Sequence, residues 1–438
     1  MSVAARMNRL PITRSHRLAT VAVGLGLFFD IYEIFLAGTL ANVLVAQFHL
    51  DKAILPLVLA STFIGMFVGA ILLGRLADRI GRRRAFLLSL GIYSVFSLLG
   101  AFSIGPWTLM ASRFFAGVGI GAEPAVSDAY LGDLLPPKKR GLYTGIAYTL
   151  SFLGVPAVGF LAAGLVPLNP DAWRWLFVIG AAGAVVVFLL RTGLPESPRW
   201  LESVGRREEA EKIVARFEAE AGGDLPEPAA DETPNTTASV GALLRPPYRR
   251  RTLMMAVFHL LQTFGYYGFG TLVPTVLAAK GYPIVQSLLF SGITFIGYPV
   301  GAALSLPIIE RVERKHLVIA AGLGMAVCGL AFGFASSEAL ILSFGFLYTA
   351  VSNVFSNAFH VYQAEIFPTG LRSTAAGSTY ALSRLSSAAM PFVLVPLLHA
   401  TNSAVLFSVV AAAMIVVAFD VGMFGPRTTG RDLELVNV

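Results

Sequence analysis

The sequence predicts an all-α integral membrane protein with twelve transmembrane helices, arranged as two pseudo-symmetric six-helix bundles. Hydrophobic residues make up 55% of its 438 residues and charged residues only 13%, whereas a soluble domain has about 25% charged residues. The mean hydropathy is +0.70. Twelve apolar stretches of membrane-spanning length and an internal repeat point to the same fold. The composition excludes a soluble enzyme, a disordered scaffold and, with the single Cys328, a disulfide-stabilised secreted module.

The predicted spans follow one another with short connections, except after the sixth. A transmembrane helix needs roughly 20 mostly apolar residues. The twelve stretches, spans 1 to 12, are approximately 18–42, 54–74, 85–104, 107–132, 141–166, 173–191, 252–279, 284–308, 317–335, 338–364, 373–398 and 402–424. Because the number of spans is even, both chain ends lie on the same side of the membrane.

The distribution of Lys and Arg residues indicates which side that is. The segments on the side of the chain ends hold 28 of the 33 Lys and Arg residues, and the opposite connections hold only Lys52, Arg174 and Lys280. The remaining two, Arg113 and Arg384, fall inside predicted spans. Short loops rich in Lys and Arg stay in the cytoplasm. We therefore expect both chain ends and the segment after span 6 to be cytoplasmic.

The segment after span 6 divides the chain into three parts. We predict an N-terminal six-helix bundle at 1–191, a cytoplasmic linker at 192–251 and a C-terminal six-helix bundle at 252–438. Within the linker, the amphipathic stretch 202–220 predicts a short surface helix. The Pro-, Asp-, Glu- and Thr-rich piece at 224–237 predicts a flexible connection.

An internal repeat relates the two predicted bundles. Several motifs of the first half recur in the second. Each motif and its counterpart are separated by the same number of residues as Asp78 and Glu310. The pairs are Asp78-Arg79 with Glu310-Arg311, Asp133 with Glu365, Arg140 with Arg372, Gly145 with Gly377 and Tyr148 with Tyr380. A constant offset predicts two structurally equivalent halves. Transporters built from repeats of this kind bind substrate near the bilayer midplane, between the halves.

The connection between spans 2 and 3 carries a specific motif. The run from Gly74 to Arg83, Gly-Arg-Leu-Ala-Asp-Arg-Ile-Gly-Arg-Arg, resembles the loop 2–3 signature of the major facilitator superfamily. Carboxylates among guanidinium groups can hold two bundles together in one state and release them in another. The candidates for such a cytoplasmic gate are Asp78, Arg79, Arg82, Asp133, Arg140, Glu196, Arg199, Glu310, Glu365 and Arg372. The alternative is that these arginines only anchor the loops to the cytoplasmic face.

Other motifs resemble the sugar-porter and organic-ion-transporter branch of that superfamily. They are Arg113-Phe-x-x-Gly117-x-Gly119-x-Gly121 on span 4, Trp173-Arg174-Trp175, and the run from Pro195 to Leu201. Span 7 keeps one glutamine, Gln262, where sugar porters carry a pair, and its Gly265-Tyr-Tyr-Gly268 run resembles bacterial nicotinate permeases. Span 1 carries Asp30-Ile-Tyr32-Glu33, which is similar to the acidic element of aromatic-acid:proton symporters. The resemblance covers the whole chain and implies alternating access of a central site.

Charged residues inside the spans predict the proton site. An ionisable side chain at the centre of a span costs roughly 2.5–3.5 kcal/mol and usually has a function. Asp30 and Glu33 are three residues apart and share one helix face. By the resemblance to sugar symporters, Glu33 or Asp30 would carry the proton and Arg113 would act as its counter-ion. The alternative is a static buried ion pair that only fixes packing.

Arg384 is the candidate ligand for substrate. It lies twelve residues beyond Arg372, about 18 Å along a helix and so near the middle of the bilayer. A substrate carboxylate would pair with its guanidinium through two hydrogen bonds. The alternative is that Arg384 pairs with Asp30, Glu33 or Glu123 across the cavity. Further candidates for the cavity wall are Tyr32, Glu123, Tyr148, Gln262, Tyr266, Tyr267, Tyr298 and Tyr380.

These observations predict a secondary active transporter rather than an enzyme. We expect proton-coupled uptake of a small organic anion, an aromatic carboxylate such as nicotinate or benzoate. The alternatives are a sugar or polyol proton symporter and a proton-coupled exporter of organic cations. We expect a multi-pass monomer in the bacterial inner membrane, with the substrate, protons and the lipid bilayer as its partners. The sequence contains no metal-ligand spacing or nucleotide-binding loop, so we expect no cofactor, metal or nucleic acid.

Overall fold

The computed structural model describes residues 2–51, 53–222, 225–227, 240–246, 248–309, 311–367 and 369–428. The side chains at 240, 242, 364, 369–374 and 376–378 are outside this description. All regular elements within the described ranges are helices. The predicted all-α class is therefore confirmed.

Each predicted span corresponds to one helix or to two consecutive helices. Their bounds, in chain order, are Arg14–Thr39, Ile54–Ile80, Arg82–Ala101, Pro106–Gly121 with Glu123–Leu134, Pro137–Leu168, Arg174–Thr192, Arg249–Ala279, Ile284–Ile309, Arg314–Phe334, Glu338–Glu365, Thr369–Ala400 and Ser403–Phe424. Across the described chain, ten of these are long and apolar enough to cross a membrane by composition alone. Spans 4 and 7 fall below that level. Span 4 carries charged residues, and span 7 is rich in Gly, Tyr and Thr.

The helix boundaries confirm the repeat. Spans 4 and 5 begin at Pro106 and Pro137, and spans 10 and 11 begin at Glu338 and Thr369. Pro106 is separated from Glu338, and Pro137 from Thr369, by the same number of residues as Asp78 from Glu310. The two halves therefore place equivalent residues at equivalent depths.

The glycines of span 4 allow two helices to pack closely. A Cβ atom on Gly117 would overlap the carbonyl oxygen of Thr62, and one on Gly121 would overlap that of Met66. Spans 2 and 4 are thus in backbone contact, as small residues permit between membrane helices. This packing explains the glycine repeat without any nucleotide.

Some contacts between the two halves lie on the side of the protein away from the start of span 7, here called the distal side. The Asn42 Nδ2 amide donates to the Pro274 carbonyl oxygen at 2.9 Å, and Gly38 lies against the backbone of Thr271. The opposite side, here called the terminal side, holds the start of span 7 and the end of span 12, where Arg250 donates to the carbonyl oxygen of Met423. Contacts between the halves also lie toward the terminal side, where Gly145 of span 5 packs against Leu306 of span 8.

The surface helix is observed at Arg207–Ala221, and it packs beneath the N-terminal half. Glu218 accepts hydrogen bonds from Arg6 at 2.5 Å and from Arg9 at 2.8 Å, and Glu220 accepts one from Ser15 Oγ at 2.6 Å. We call these contacts the N-terminal clamp. The piece predicted to be flexible, 224–237, lies outside the described residues apart from 225–227.

Candidate functional site

A small cavity opens beside span 7, near the middle of the C-terminal half. Its lining residues come from spans 7, 10 and 11 and are mostly aromatic or hydroxyl-bearing. They are Gln262, Tyr266, Tyr267, Phe355, Ser356, Phe359, His360, Tyr380 and Ser383. Four of the side chains proposed from the sequence therefore line one cavity. The combination of aromatic faces with a few polar groups is typical of sites for small organic ligands.

Arg384 lies directly behind this wall. Its Nη1 donates to the Tyr267 hydroxyl at 3.0 Å and its Nη2 to the Tyr380 hydroxyl at 2.7 Å. The side chain is 2% exposed. Within the described chain its Nε has no hydrogen-bond partner, and no carboxylate lies within ion-pair distance of the guanidinium. The alternative pairing with Asp30, Glu33 or Glu123 is absent from this structure.

Other polar groups fix the cavity wall. Gln262 Nε2 donates to Ser383 Oγ at 3.1 Å, and the Tyr266 hydroxyl donates to Asn353 Oδ1 at 3.1 Å. His360 is exposed, with its ring 6.1 Å from that of Tyr380. From the sequence, His360 looks like any single histidine on an apolar helix. The repeat was the one available signal that His360 differs from a packing residue, because its constant offset pairs His360 with Asp128, a charged residue of the first half.

Tyr148, another predicted wall residue, lies on span 5 of the N-terminal half and is not among the residues that line this cavity. Its hydroxyl donates to Asp128 Oδ1 at 2.9 Å. Its hydrogen-bond partner therefore lies in its own half.

Three further predicted wall residues lie elsewhere. Tyr32 is buried between spans 1 and 6, where its hydroxyl donates to the Leu176 carbonyl oxygen at 2.8 Å. Glu123 is buried inside the N-terminal half, paired with Arg191. Tyr298 is fully buried, packed 5.9 Å from Phe35. In each case the helix face that carries the side chain points into packing rather than into the cavity lined by spans 7, 10 and 11.

The residues predicted to couple protons form a buried pair in the N-terminal half. Arg113 Nη1 donates to Glu33 Oε2 at 2.6 Å, and both side chains are fully buried. The second carboxylate oxygen of Glu33 accepts a hydrogen bond from the Ser97 hydroxyl. The Arg113 guanidinium lies 4.8 Å from the centre of the Phe177 ring. The pair thus connects spans 1, 3, 4 and 6.

A second buried ion pair lies in the same half. Arg191 donates to Glu123 and to the carbonyl oxygens of Ala22 and Val23, the last two at 3.2 Å. The charges of Glu123, Arg191 and Glu33 all act on Asp30, whose two carboxylate oxygens have no hydrogen-bond partner among the described residues. Sequence reasoning assigned Arg191 to the cytoplasmic charges. Arg191 is instead buried inside the N-terminal half. The available signal in the sequence was its position at the very end of span 6.

The gate candidates of the N-terminal half contact one another on the terminal side. Arg82 pairs with Asp78 at 2.6 Å. Glu196 accepts from the backbone amide of Arg82 at 2.9 Å. Asp133 accepts from Ser197 at 2.6 Å, and its carbonyl oxygen accepts from Arg199 at 3.0 Å. These contacts join the span 2–3 connection and span 4 to the segment after span 6, all within one half.

The remaining gate candidates are dispersed. Arg140 donates to the Leu135 carbonyl oxygen at 3.3 Å, and Arg79 is exposed. Glu365 pairs with Arg314 of the same half at 3.0 Å. Glu310 and the side chain of Arg372 lie outside the described residues. Each described ion pair of these candidates stays within one half.

Sequence comparison decides the family. The profile described as "Sugar (and other) transporter" matches residues 18–438. The chain belongs to this family of the major facilitator superfamily. One relative, YyaJ of Bacillus subtilis, is named for metabolite transport; it is 33% identical over 88% of this chain and 87% of its own length. The niacin transporter NiaP of Acinetobacter baylyi is 28% identical over the full length of both chains.

A solved structure shows the same fold. The xylose transporter XylE from E. coli, in a partially occluded inward-open conformation, superposes with a TM-score of 0.79 at 19% identity, covering 95% of this chain and 99% of that one. The chain is therefore a multi-pass membrane transporter with the twelve-helix major facilitator fold, and not an enzyme. In the part of the chain that the structure describes, no cluster of three or more potential metal ligands is found.

Proposed function

We propose that this transporter couples proton movement to the uptake of a small organic anion, an aromatic carboxylate such as nicotinate or benzoate. The observation that carries the proposal is Arg384, a buried guanidinium whose Nη atoms bind two tyrosine hydroxyls of the cavity wall. Neutral hydroxyls do not balance its charge. A carboxylate that reaches these tyrosines would supply the missing charge and form charge-assisted hydrogen bonds.

The cavity wall suits a single aromatic ring. Tyr266, Tyr267, Phe355, Phe359 and Tyr380 present ring faces and edges around a small space. Aromatic pairs in offset or edge-to-face geometry contribute roughly 0.5–1.5 kcal/mol beyond the area that they bury. The full-length similarity to a niacin transporter supports a ligand of this size and charge.

The proton site is proposed on charge balance. The buried cluster contains three carboxyl groups, on Asp30, Glu33 and Glu123, and two guanidinium groups, on Arg113 and Arg191. It is neutral when it holds one proton and carries a net negative charge when it does not. Because burying an unbalanced charge is costly, proton binding and release here would favour different packings of spans 1, 4 and 6.

Orientation and organisation complete the proposal. The excess of Lys and Arg on the terminal side would place both chain ends in the cytoplasm of a bacterial cell. In that orientation the distal side is extracellular. We further propose that 1–191 and 252–438 move as two bundles joined by the linker 192–251, in a protein that works as a monomer.

A second candidate, a sugar or polyol symporter, is favoured by one observation. Gln262, Ser356 and Ser383 place an amide and two hydroxyl groups on the same cavity wall, and these groups can hydrogen-bond sugar hydroxyls.

Ligand-induced thermal stabilisation of the purified protein separates the two candidates. Nicotinate and benzoate should raise the unfolding temperature, because a ligand that binds the folded state stabilises it. Nicotinamide, which has the same ring without the charge, should have little effect. Equal stabilisation by nicotinate and nicotinamide would contradict a carboxylate site, and stabilisation by xylose alone would favour the sugar candidate.

A further inference from the structure

A surface groove at the start of span 7 lies on the terminal side, about 18 Å along the helix from Gln262 of the substrate cavity. Its volume is about 300 Å³, and it is lined by Pro246, Arg249, Arg250 and Leu253. Both of its arginines are exposed. Arg245 is exposed as well, and its carbonyl oxygen accepts the backbone amide of Arg249 at 3.0 Å. Positive charges and an apolar surface therefore border the same groove.

The charges of this groove are not balanced by the described chain. No described carboxylate forms an ion pair with Arg245, Arg249 or Arg250. Arg250 Nη2 donates to the Met423 carbonyl oxygen at 3.1 Å, and its guanidinium lies 4.9 Å from the centre of the Phe424 ring. These neutral contacts hold Arg250 against the end of span 12 and leave its charge available to an external anion.

An exposed apolar face continues from the arginines along span 7. Leu253, Val257 and Leu260 follow Arg249 in steps of three or four residues, so they share its helix face. They are 50%, 36% and 40% exposed. Phe424 of span 12, which lies beside Arg250, is 40% exposed. A ligand that matches this surface would carry a negative head at the arginines and an apolar tail along the span.

The N-terminal half fills the equivalent place with residues of the chain itself. The constant offset of the repeat relates Arg17, at the start of span 1, to Arg249. Beside Arg17, Ser15 donates to Glu220 of the surface helix at 2.6 Å, and the ring of His16 lies 4.7 Å from that of Phe217. The surface helix thus supplies both an acid and an apolar side chain there. At the start of span 7 the arginines stay exposed, and the described chain supplies no such acid.

We propose that this groove binds an anionic phospholipid of the cytoplasmic leaflet. Arg249 and Arg250 bind the phosphate oxygens of the headgroup, and an acyl chain lies along Leu253, Val257 and Leu260. Guanidinium groups match phosphate geometry, and basic pockets on the cytoplasmic side of membrane helices bind anionic headgroups. The inference uses the orientation proposed above only to name the leaflet, and it does not depend on the substrate.

Three probes test the inference on the full-length protein in detergent. Phosphatidylglycerol has acyl chains and a net negative charge, phosphatidylcholine has the chains and the phosphate without net charge, and glycerol 3-phosphate has the phosphate without chains. Native mass spectrometry measures the binding of each. We expect phosphatidylglycerol to bind wild type on the order of tenfold more tightly than either of the other two.

The decisive variants remove the two arginines of the groove. Arg249→Gln should weaken phosphatidylglycerol binding about fivefold, and Arg249→Gln with Arg250→Gln roughly 25-fold. The single variant removes no described side-chain hydrogen bond or ion pair, so it separates loss of charge from loss of folding. Lysine at both positions should keep binding within about threefold of wild type. The matched control is Arg14→Gln with Arg17→Gln, which removes two exposed arginines at the start of span 1 and should leave binding within about twofold.

Three results would overturn the inference. Equal weakening by the two double glutamine variants would mean that the lipid responds to the overall charge of the terminal side. Equal binding of phosphatidylcholine and phosphatidylglycerol would show that the arginines do not select an anionic lipid. Binding of glycerol 3-phosphate as tight as that of phosphatidylglycerol would assign the groove to a free phosphate. None of these results bears on Arg384, so the proposed function is tested separately.

Discussion

The two halves share one fold but hold their buried charges in different ways. In the N-terminal half, acids and arginines pair inside the bundle, as Glu33 with Arg113 and Glu123 with Arg191. In the C-terminal half, the buried guanidinium of Arg384 is bound by tyrosine hydroxyls next to a cavity.

Because of the repeat, the two halves can be compared residue by residue. Its constant offset relates the four paired charges of the N-terminal half to Gly265, Gly345, Phe355 and Met423 of the C-terminal half. The C-terminal half forms the same six spans with uncharged residues at these positions, so the fold does not require the charges. We interpret the asymmetry as a division of work, with proton binding in the N-terminal half and substrate binding in the C-terminal half.

The largest expected effect comes from Glu33→Gln. The amide keeps the size of the side chain but cannot release a proton, so accumulation driven by a proton gradient should be lost. Exchange of substrate across the membrane should be partly retained, because the cavity lies in the other half. Uptake and counterflow of radiolabelled nicotinate in proteoliposomes measure the two activities.

The matched control for Glu33→Gln is Glu338→Gln, which neutralises an exposed acid at the start of span 10. It should transport as wild type does. Wild-type accumulation by both Glu33→Gln and Asp30→Asn would contradict a proton site on span 1 and, with it, the division of work between the halves.

Arg191→Met tests whether the second pair is needed for the stability of the N-terminal half. The change installs the residue found at the equivalent position of the C-terminal half, Met423. Because Glu123 would remain buried without its partner, we expect a loss of about 3–5 kcal/mol of stability. Thermal unfolding of the detergent-solubilised protein, followed by light scattering or tryptophan fluorescence, measures it.

The double variant Glu123→Gln with Arg191→Met sharpens that test. It removes both charges, so it should recover much of the stability lost by Arg191→Met alone. A double variant as unstable as the single one would show that the cost comes from lost packing and hydrogen bonds of the arginine rather than from the unpaired acid.

Arg384→Ala tests the C-terminal half of the comparison. Hydrogen bonds to charged groups contribute about 1.5–3 kcal/mol, so binding of nicotinate should weaken by roughly 10- to 150-fold. Arg384→Lys should recover part of the affinity, because an ammonium keeps the charge but lacks the planar fork. Calorimetry measures both. Arg311→Ala, an exposed site of the same half, is the control, and equal binding by Arg384→Ala and wild type would contradict the site.

The smallest expected effect concerns the N-terminal clamp. Hydrogen bonds from Arg6 and Arg9 lower the pKa of Glu218 from 4.5 to about 2. The clamp is therefore fully formed above pH 4.5 and weakens as the pH falls through this range toward 2. Since the groups are near the surface, the contribution is at most about 1 kcal/mol.

Hydrogen exchange of the segment Val3–Asn8 measures the clamp. Exchange should be faster at pH 4 than at pH 7, after correction for the intrinsic rate, and faster in Glu218→Gln at pH 7. Glu208→Gln, an exposed acid of the same helix, should leave exchange unchanged. Equal protection in wild type and Glu218→Gln would show that other contacts hold the segment.

The sequence by itself determined the spans, the repeat and the family. Hydropathy, Lys and Arg positions and a motif such as Gly74 to Arg83 are properties of consecutive residues, so they can be read without knowing the packing. The same reasoning predicted Gln262, Tyr266, Tyr267 and Tyr380 as residues of the cavity wall, because polar side chains in the middle of a membrane span often have a function. All four line the observed cavity.

Only the tertiary structure decided which charges meet. Glu123 and Arg191 are 68 residues apart in the chain. The residues around each of them do not predict that the two side chains point toward each other. The rotation of each helix about its axis likewise directs Tyr32 toward span 6 and Asp128 toward Tyr148 of span 5. A residue's type and depth follow from the sequence, but the direction that it faces depends on how the helix packs against neighbours distant along the chain.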